Sequence, residues 1–267
     1  MWRYLVVVSM LAGVPARAQD AGRDWQWLRS VEDCALIQKV AQSKDAIILS
    51  VYPGSGQSWI MIADSRLRAP ASQKLPSVHL TLKPGRSVIA DAQLYPASNI
   101  SAPGVSIPIL HHDFVQDFAK VTEIAVSHPK LGFLVQRQVH SAADATRALV
   151  ECENAMLREW GIDPAYWRGL RERPIPLKSL HDLFSSEDYP PGYLLNAVEG
   201  KLILRLIVGT DGRVEQCTPV NRRADKYFFQ KICGKLKIAA RFQPAVDFQG
   251  RVVKAPYITG ARFAIER

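Results

Sequence analysis

Along the chain the pattern of apolar and polar positions first reads as an alternating strand over Cys34 to Val40. The run Ala46 to Tyr52 is rich in β-formers, and Ser58 to Ala63 follows it after Pro53-Gly54-Ser55-Gly56, so the two runs predict a hairpin. Val78 to Leu82, Lys83-Pro84-Gly85 and Ser87 to Leu94 predict a second hairpin. A loop dotted with Pro96, Pro103 and Pro108 comes next, and then Phe114, Phe118, Val121 and Ala125 recur at helical spacing. Gly132 to Val139 reads as another strand. The clearest helix opens at Ser141, with Asp144 three residues on as in a capping box, and carries the stripe Ala145, Leu149, Cys152, Met156 and Trp160.

Between residues 161 and 187 the periodicity breaks at Asp163-Pro164, Pro174-Ile175-Pro176 and Ser185-Ser186, which reads as a linker between a domain over 19–160 and a smaller one over 188–267. In the second domain Leu202 to Val208 runs into Thr210-Asp211-Gly212-Arg213, and Val214 to Val220 returns. Asp-Gly between apolar runs predicts a type I′ hairpin turn, in which both central residues take positive φ. From Asp225 the apolar positions Phe228, Ile232, Leu236 and Ala239/Ala240 mark a helix with lysines on its other face, and Arg251 to Ile265 supplies a third strand. The fold class is therefore α+β: a β-rich domain closed by a helix, then a small unit in the order short helix, β, β, α, β.

Composition adds a compartment. With 48% apolar and 22% charged residues, the 267-residue chain can fill a core and is neither disordered nor collagen-like. Arg3 precedes the apolar run Leu5 to Val14, and Ala16-Arg17-Ala18 places small residues at a signal-peptidase site, so residues 1–18 read as a secretory signal cleaved after Ala18. The run is about half the ~20 residues of a membrane span, and the expectation is a periplasmic protein with no stable membrane span after cleavage.

Charge is unevenly placed. Residues 19–160 carry 14 basic and 14 acidic side chains, whereas residues 180–267 carry 14 and 9. The excess is interleaved with apolar residues, which reads as a solvated basic face; nucleic acid is not an expected partner of an exported protein.

An exported chain can form disulfides. Cys152 lies on the apolar stripe of the closing helix, and Cys34 on the first strand is its natural mate; such a bridge adds ~3–5 kcal/mol by loop closure. Cys217 lies on a strand and Cys233 on the helix that follows it. Four cysteines allow three pairings, of which Cys34 with Cys152 and Cys217 with Cys233 needs no contact between domains. The alternative is four buried free thiols.

Catalytic and metal-binding motifs give no signal. His111-His112-Asp113 places two adjacent imidazoles pointing apart, without the i, i+4 spacing of a helical zinc site, and reads as a loop with a helix cap. Gly54-Ser55-Gly56-Gln57-Ser58 is neither G-x-S-x-G nor a P-loop. The carboxylates are scattered, and Trp25, Trp27, Trp59, Trp160 and Trp167 read as core residues rather than a stacking box. No enzyme, metal or cofactor is expected.

Tyr189-Pro190, Glu199-Gly200-Lys201, Asp211-Gly212-Arg213-Val214, Arg241-Phe242-Gln243-Pro244-Ala245 and Gly250-Arg251-Val252-Val253 occur in an order and spacing that resembles the C-terminal domain of TonB. The match covers about the last 80 residues; the first domain resembles no family that we recognise. The resemblance implies a binding module in which an extended segment of an envelope protein, such as an outer-membrane receptor, adds to an open sheet edge. Carried over by position, that edge comprises Arg251, Val252, Val253, Lys254, Ala255 and Tyr257, with Pro256 a departure that removes one donor. Strand exchange implies a homodimer as a further state. Two other readings stay open: a membrane-anchored energy transducer, from which this chain departs in lacking a Pro-rich spacer, and a ligand-binding or enzymatic first domain positioned by the TonB-like module.

Overall fold

A computed structural model describes residues 24–28, 33–53, 57–110, 114, 117–189, 191–196, 199–221 and 225–263. The expected signal peptide, the Gly54-Ser55-Gly56 turn and His111-His112-Asp113 lie outside them. The protein is mixed α+β, rich in strands, with one large curled sheet.

That sheet holds β1 (Gln26–Leu28), β2 (Cys34–Lys39), β3 (Ala46–Tyr52), β4 (Gln57–Ala63), β5 (Gln73–Lys83), β6 (Ser87–Tyr95), β7 (Gly104–Leu110), β8 (Glu123–His128) and β9 (Phe133–Gln138). All pairs are antiparallel, in the order β1-β2-β3-β4-β7-β6-β5-β8-β9. Alternation decides what faces inward: Ile47, Leu49 and Val51 of β3 and Ile60 and Ile62 of β4 enter the core, with Leu80, Val105, Ile124 and Val126 from across the sheet.

The curl brings β9 back over the first strands. The Arg137 guanidinium on β9 meets Asp45 at 2.7 Å and the fully buried Asp64 just past β4. Trp25 Nε1–H donates to the His140 carbonyl at 2.7 Å, and the His140 N–H donates to Gln38 Oε1.

Two expectations in this region are corrected. The Pro-dotted stretch contains β7, an interior strand; its pairing with β6 ends at Ser106, which leaves room at Pro108 for a residue without an N–H. Ala125 belongs to β8 rather than to a helix, because Ile124 and Val126 alternate with it into the core; Phe114 and Phe118 are helical, buried and stacked at 5.0 Å.

Helix α1 (Ala142–Glu159) fills the open side of the curl with Ala142, Ala145, Ala148 and Leu149. The capping box does not form. Ser141 takes φ 49°, and its hydroxyl donates to Asp24 instead, at 2.6 Å, tying the helix start to the N-terminal strand region. Cys34 and Cys152 pair with Cα atoms 6.0 Å apart, stapling α1 to β2.

The stretch expected as a linker carries α2 (Pro164–Arg168), β10 (Leu170–Glu172) and β11 (Ile175–Pro176). After α3 (Pro191–Leu195) come β12 (Gly200–Val208), β13 (Val214–Pro219), α4 (Lys226–Ala239), β14 (Phe242–Gln243), β15 (Ala245–Asp247), β16 (Val252–Val253) and β17 (Ala255–Phe263). A three-stranded antiparallel sheet, β13-β12-β17, buries Leu202, Leu204, Leu206 and Val208 under Phe228, Ile232 and Leu236 of α4. Asp225 caps α4 by accepting from the N–H groups of Tyr227 and Phe228 at 2.9 Å. Cys217 and Cys233 pair across this layer, Cα atoms 5.7 Å apart.

The β12–β13 turn is not type I′. Only Gly212 has positive φ, at 75°; its N–H closes on the Gly209 carbonyl, and a register shift at Ile207/Val208 absorbs the extra residue. A type I turn completed by a left-handed glycine satisfies the same Asp-Gly pair.

Candidate functional site

The connecting stretch holds the two sheets together. Leu157 and Ile162 from the end of α1, with Trp167 and Leu170, pack against Ala245 and Ala255, joined by the partly buried Val253 and Ile258. β10 pairs with β15, and β11 with β14. The Arg205 guanidinium, on the helix-free face of β12, donates to the Trp160 and Gly161 carbonyls at 2.6 and 3.2 Å, a cation placed against the negative end of α1. Arg173 stacks over Trp167 at 4.6 Å; burial pulls its pKa down, and the Glu153 carboxylate acts against that.

Docked this way, the helix-free face of the C-terminal sheet looks onto the outer face of the large one. Between them lies a cleft of about 810 Å³, within the size range of ligand sites. One wall is β3 and β4: Ile48, Ser50, Tyr52, Trp59 and Met61, the outward residues of strands whose alternate positions enter the core. Opposite stand Ile203 of β12 and Ile258, Thr259 and Gly260 of β17.

Residues 95–101 form the third side, including Tyr95, Ser98 and Ile100. The Ser98 hydroxyl accepts from the Ser101 N–H at 3.1 Å, and the Ala102 N–H donates to the Lys44 carbonyl at 2.8 Å, so this wall is fastened to the sheet. Trp59, expected in the core, lines the cleft instead. Its position opposite Ser50 and Pro108 in the register puts it on the outer face, and only the pairing of strands reveals that this face has a second sheet before it.

The expected edge segment divides. Val252 and Val253 pair with β15, and Arg251 is held by Asp247, which accepts from its backbone N–H and Nε at 2.9 and 2.8 Å. The Lys254 carbonyl accepts from the Tyr166 hydroxyl, and its ammonium reaches Glu215 at 2.9 Å. Ala255 and Tyr257 lie in β17, which among the described residues pairs with β12 alone and is an edge. Tyr257 turns toward Phe242 at 5.0 Å, and burial pushes its hydroxyl pKa up, so it stays neutral.

Register fixes which β17 groups face outward. The Ile203 carbonyl accepts from Val220 N–H on the β13 side, so Leu202, Leu204, Leu206 and Val208 direct their backbone groups to β17. Their partners are Ala261, Thr259, Tyr257 and Ala255; the backbone groups of Pro256, Ile258, Gly260 and Arg262 therefore face away from the sheet. Among the described residues no backbone hydrogen bond reaches that outer side. Pro256 sits where its missing donor leaves the ladder with β12 intact.

Among the described residues no group of three or more His, Cys, Asp or Glu side chains gathers as a metal site, and no helix is long and apolar enough to cross a membrane. Compared with models of protein families and with curated proteins, the chain matches none.

Proposed function

We propose that this is a periplasmic interaction protein whose C-terminal unit, TonB-like in its motifs and element order, binds an extended segment of an envelope protein by strand addition to β17. The observation that carries this reading is the outward row of Ile258, Gly260 and Arg262 N–H groups and Pro256, Ile258 and Gly260 carbonyls on an edge strand. Two cystine-distance pairs support an oxidising compartment. The cleaved signal remains the ground for placing the protein in the periplasm, and an outer-membrane receptor is the partner class that the resemblance favours.

Hydrogen exchange on the protein with and without a partner captured from envelope extract tests the reading. The Ile258, Gly260 and Arg262 amides gain protection on binding; unchanged exchange at all three in a verified complex refutes strand addition at β17. Intact mass of the protein recovered from the periplasm tests the compartment: a mature N-terminus at Gln19 supports it, and a full-length chain in the membrane fraction favours an anchored transducer.

A further inference from the structure

Resting on the strand-addition reading, we propose that the cleft beside β17 selects the added segment: it is an uncharged stretch of a partner polypeptide, with apolar or aromatic side chains at alternate positions pointing into the cleft. Side chains on an added strand continue the faces of the strand that it joins, with period two. Those sharing the face of Ile258 and Gly260 enter the space in front of Ile203, Trp59, Met61 and Tyr52.

Among the described residues, none lining this space is an Asp, Glu, Lys, Arg or His; its side-chain hydroxyls include Ser50 and Ser106. A charged side chain entering there loses water and meets no counter-ion among the described lining residues, which is costly. An apolar one removes the exposed aromatic area from water. Ile258 and Gly260, whose outward ladder groups lie along the sheet edge, also line this space, and their alternating donor and acceptor pattern fits a peptide backbone.

Gly260 leaves the space open. A Cβ built there meets only the Leu202 carbonyl, at 3.7 Å, an ordinary contact, and no positive φ is involved. Gly260→Leu therefore keeps the edge N–H and the C-terminal sheet while projecting a side chain into the cleft.

The test uses the full mature protein and short capped, fluorescein-labelled peptides of alternating Thr and Val with one central Phe, followed by anisotropy. One companion replaces every Val and Phe by Lys, another replaces them by Glu, and two more are N-methylated at alternate residues in one frame or the other. Expected is binding of the apolar peptide, weakened roughly tenfold or more by Lys, by Glu, by Gly260→Leu, and by N-methylation in one frame only. Frame-dependent loss on N-methylation, with Lys, Glu and Gly260→Leu all without effect, leaves strand addition standing and overturns the cleft's selectivity. A Glu peptide that binds best assigns recognition to the basic C-terminal half and likewise overturns it. Binding insensitive to N-methylation in either frame overturns both readings, as does a concentration-dependent dimer through β17 that excludes every peptide.

Discussion

The Phe242 backbone N–H donates to the Gly212 carbonyl at 2.9 Å, joining the tip of the β12–β13 hairpin to the strand that leaves α4. The same glycine has φ 75°, and a Cβ on it would stand 2.2 Å from the Phe242 carbonyl oxygen. A backbone oxygen cannot swing aside as a side chain can.

Gly212→Ala should accordingly destabilise the C-terminal unit by ~1–3 kcal/mol, combining an unfavourable left-handed alanine with displacement of β14. Chemical denaturation monitored by circular dichroism measures it. Gly250→Ala is the control: φ is 79° there, but nothing lies within 4 Å of its Cβ, so its cost is conformational alone and smaller.

The disulfides close loops of very different length. Cys217 and Cys233 are 16 residues apart, Cys34 and Cys152 are 118 apart. Loop-closure entropy makes the short bridge worth about 3 kcal/mol and the long one about 5 kcal/mol. Paired serine substitutions, each compared with the parent in thermal unfolding, should lower stability in that order. Non-reducing peptide mapping should recover only the Cys34–Cys152 and Cys217–Cys233 links.

Acid stability should report on Asp64. The Arg66 side-chain hydrogen bond is the main cause holding its pKa down to about 2, helped by the Arg66 backbone N–H and by Arg137, while burial acts the other way. Because the folded pKa lies below the unfolded value of about 3.9, this stabilisation is complete above about pH 4 and is lost as pH falls through 2. Asp64→Asn should be clearly less stable than the parent at pH 7, and the gap should narrow between pH 4 and 2. A gap independent of pH would remove charge from the explanation.

Arg205 fastens the C-terminal sheet to the end of α1. Arg205→Ala should cost ~1–2 kcal/mol, typical of a cation at a helix C-terminus. It should also speed amide exchange at Ile162 and proteolysis of the connecting stretch, with the secondary structure unchanged by circular dichroism. Unaltered exchange at Ile162 would show that the apolar contacts of Trp167 and Leu170 suffice.

Local periodicity determined much of this protein. β-Forming runs between turn signals placed β2, β3, β4, β6 and β9, the i, i+4 stripe placed α1 and α4, and the position of each cysteine on its element named the mate that tertiary packing supplies. Capping and turn details were legible only in part, because Ser141 and Asp211-Gly212 have several partners available locally, and distant residues chose among them. The strand Gly104–Leu110 was hidden by prolines whose cost depends on which neighbour runs alongside. The cleft was not legible at all: Trp59 reads as a core residue until the sheet order and the docking of Arg205 on α1 place a second sheet in front of it. Period and composition report what one segment does with its own two faces, whereas an edge, a cleft or a docked face exists only between segments far apart in the chain, and long-range packing alone decides it.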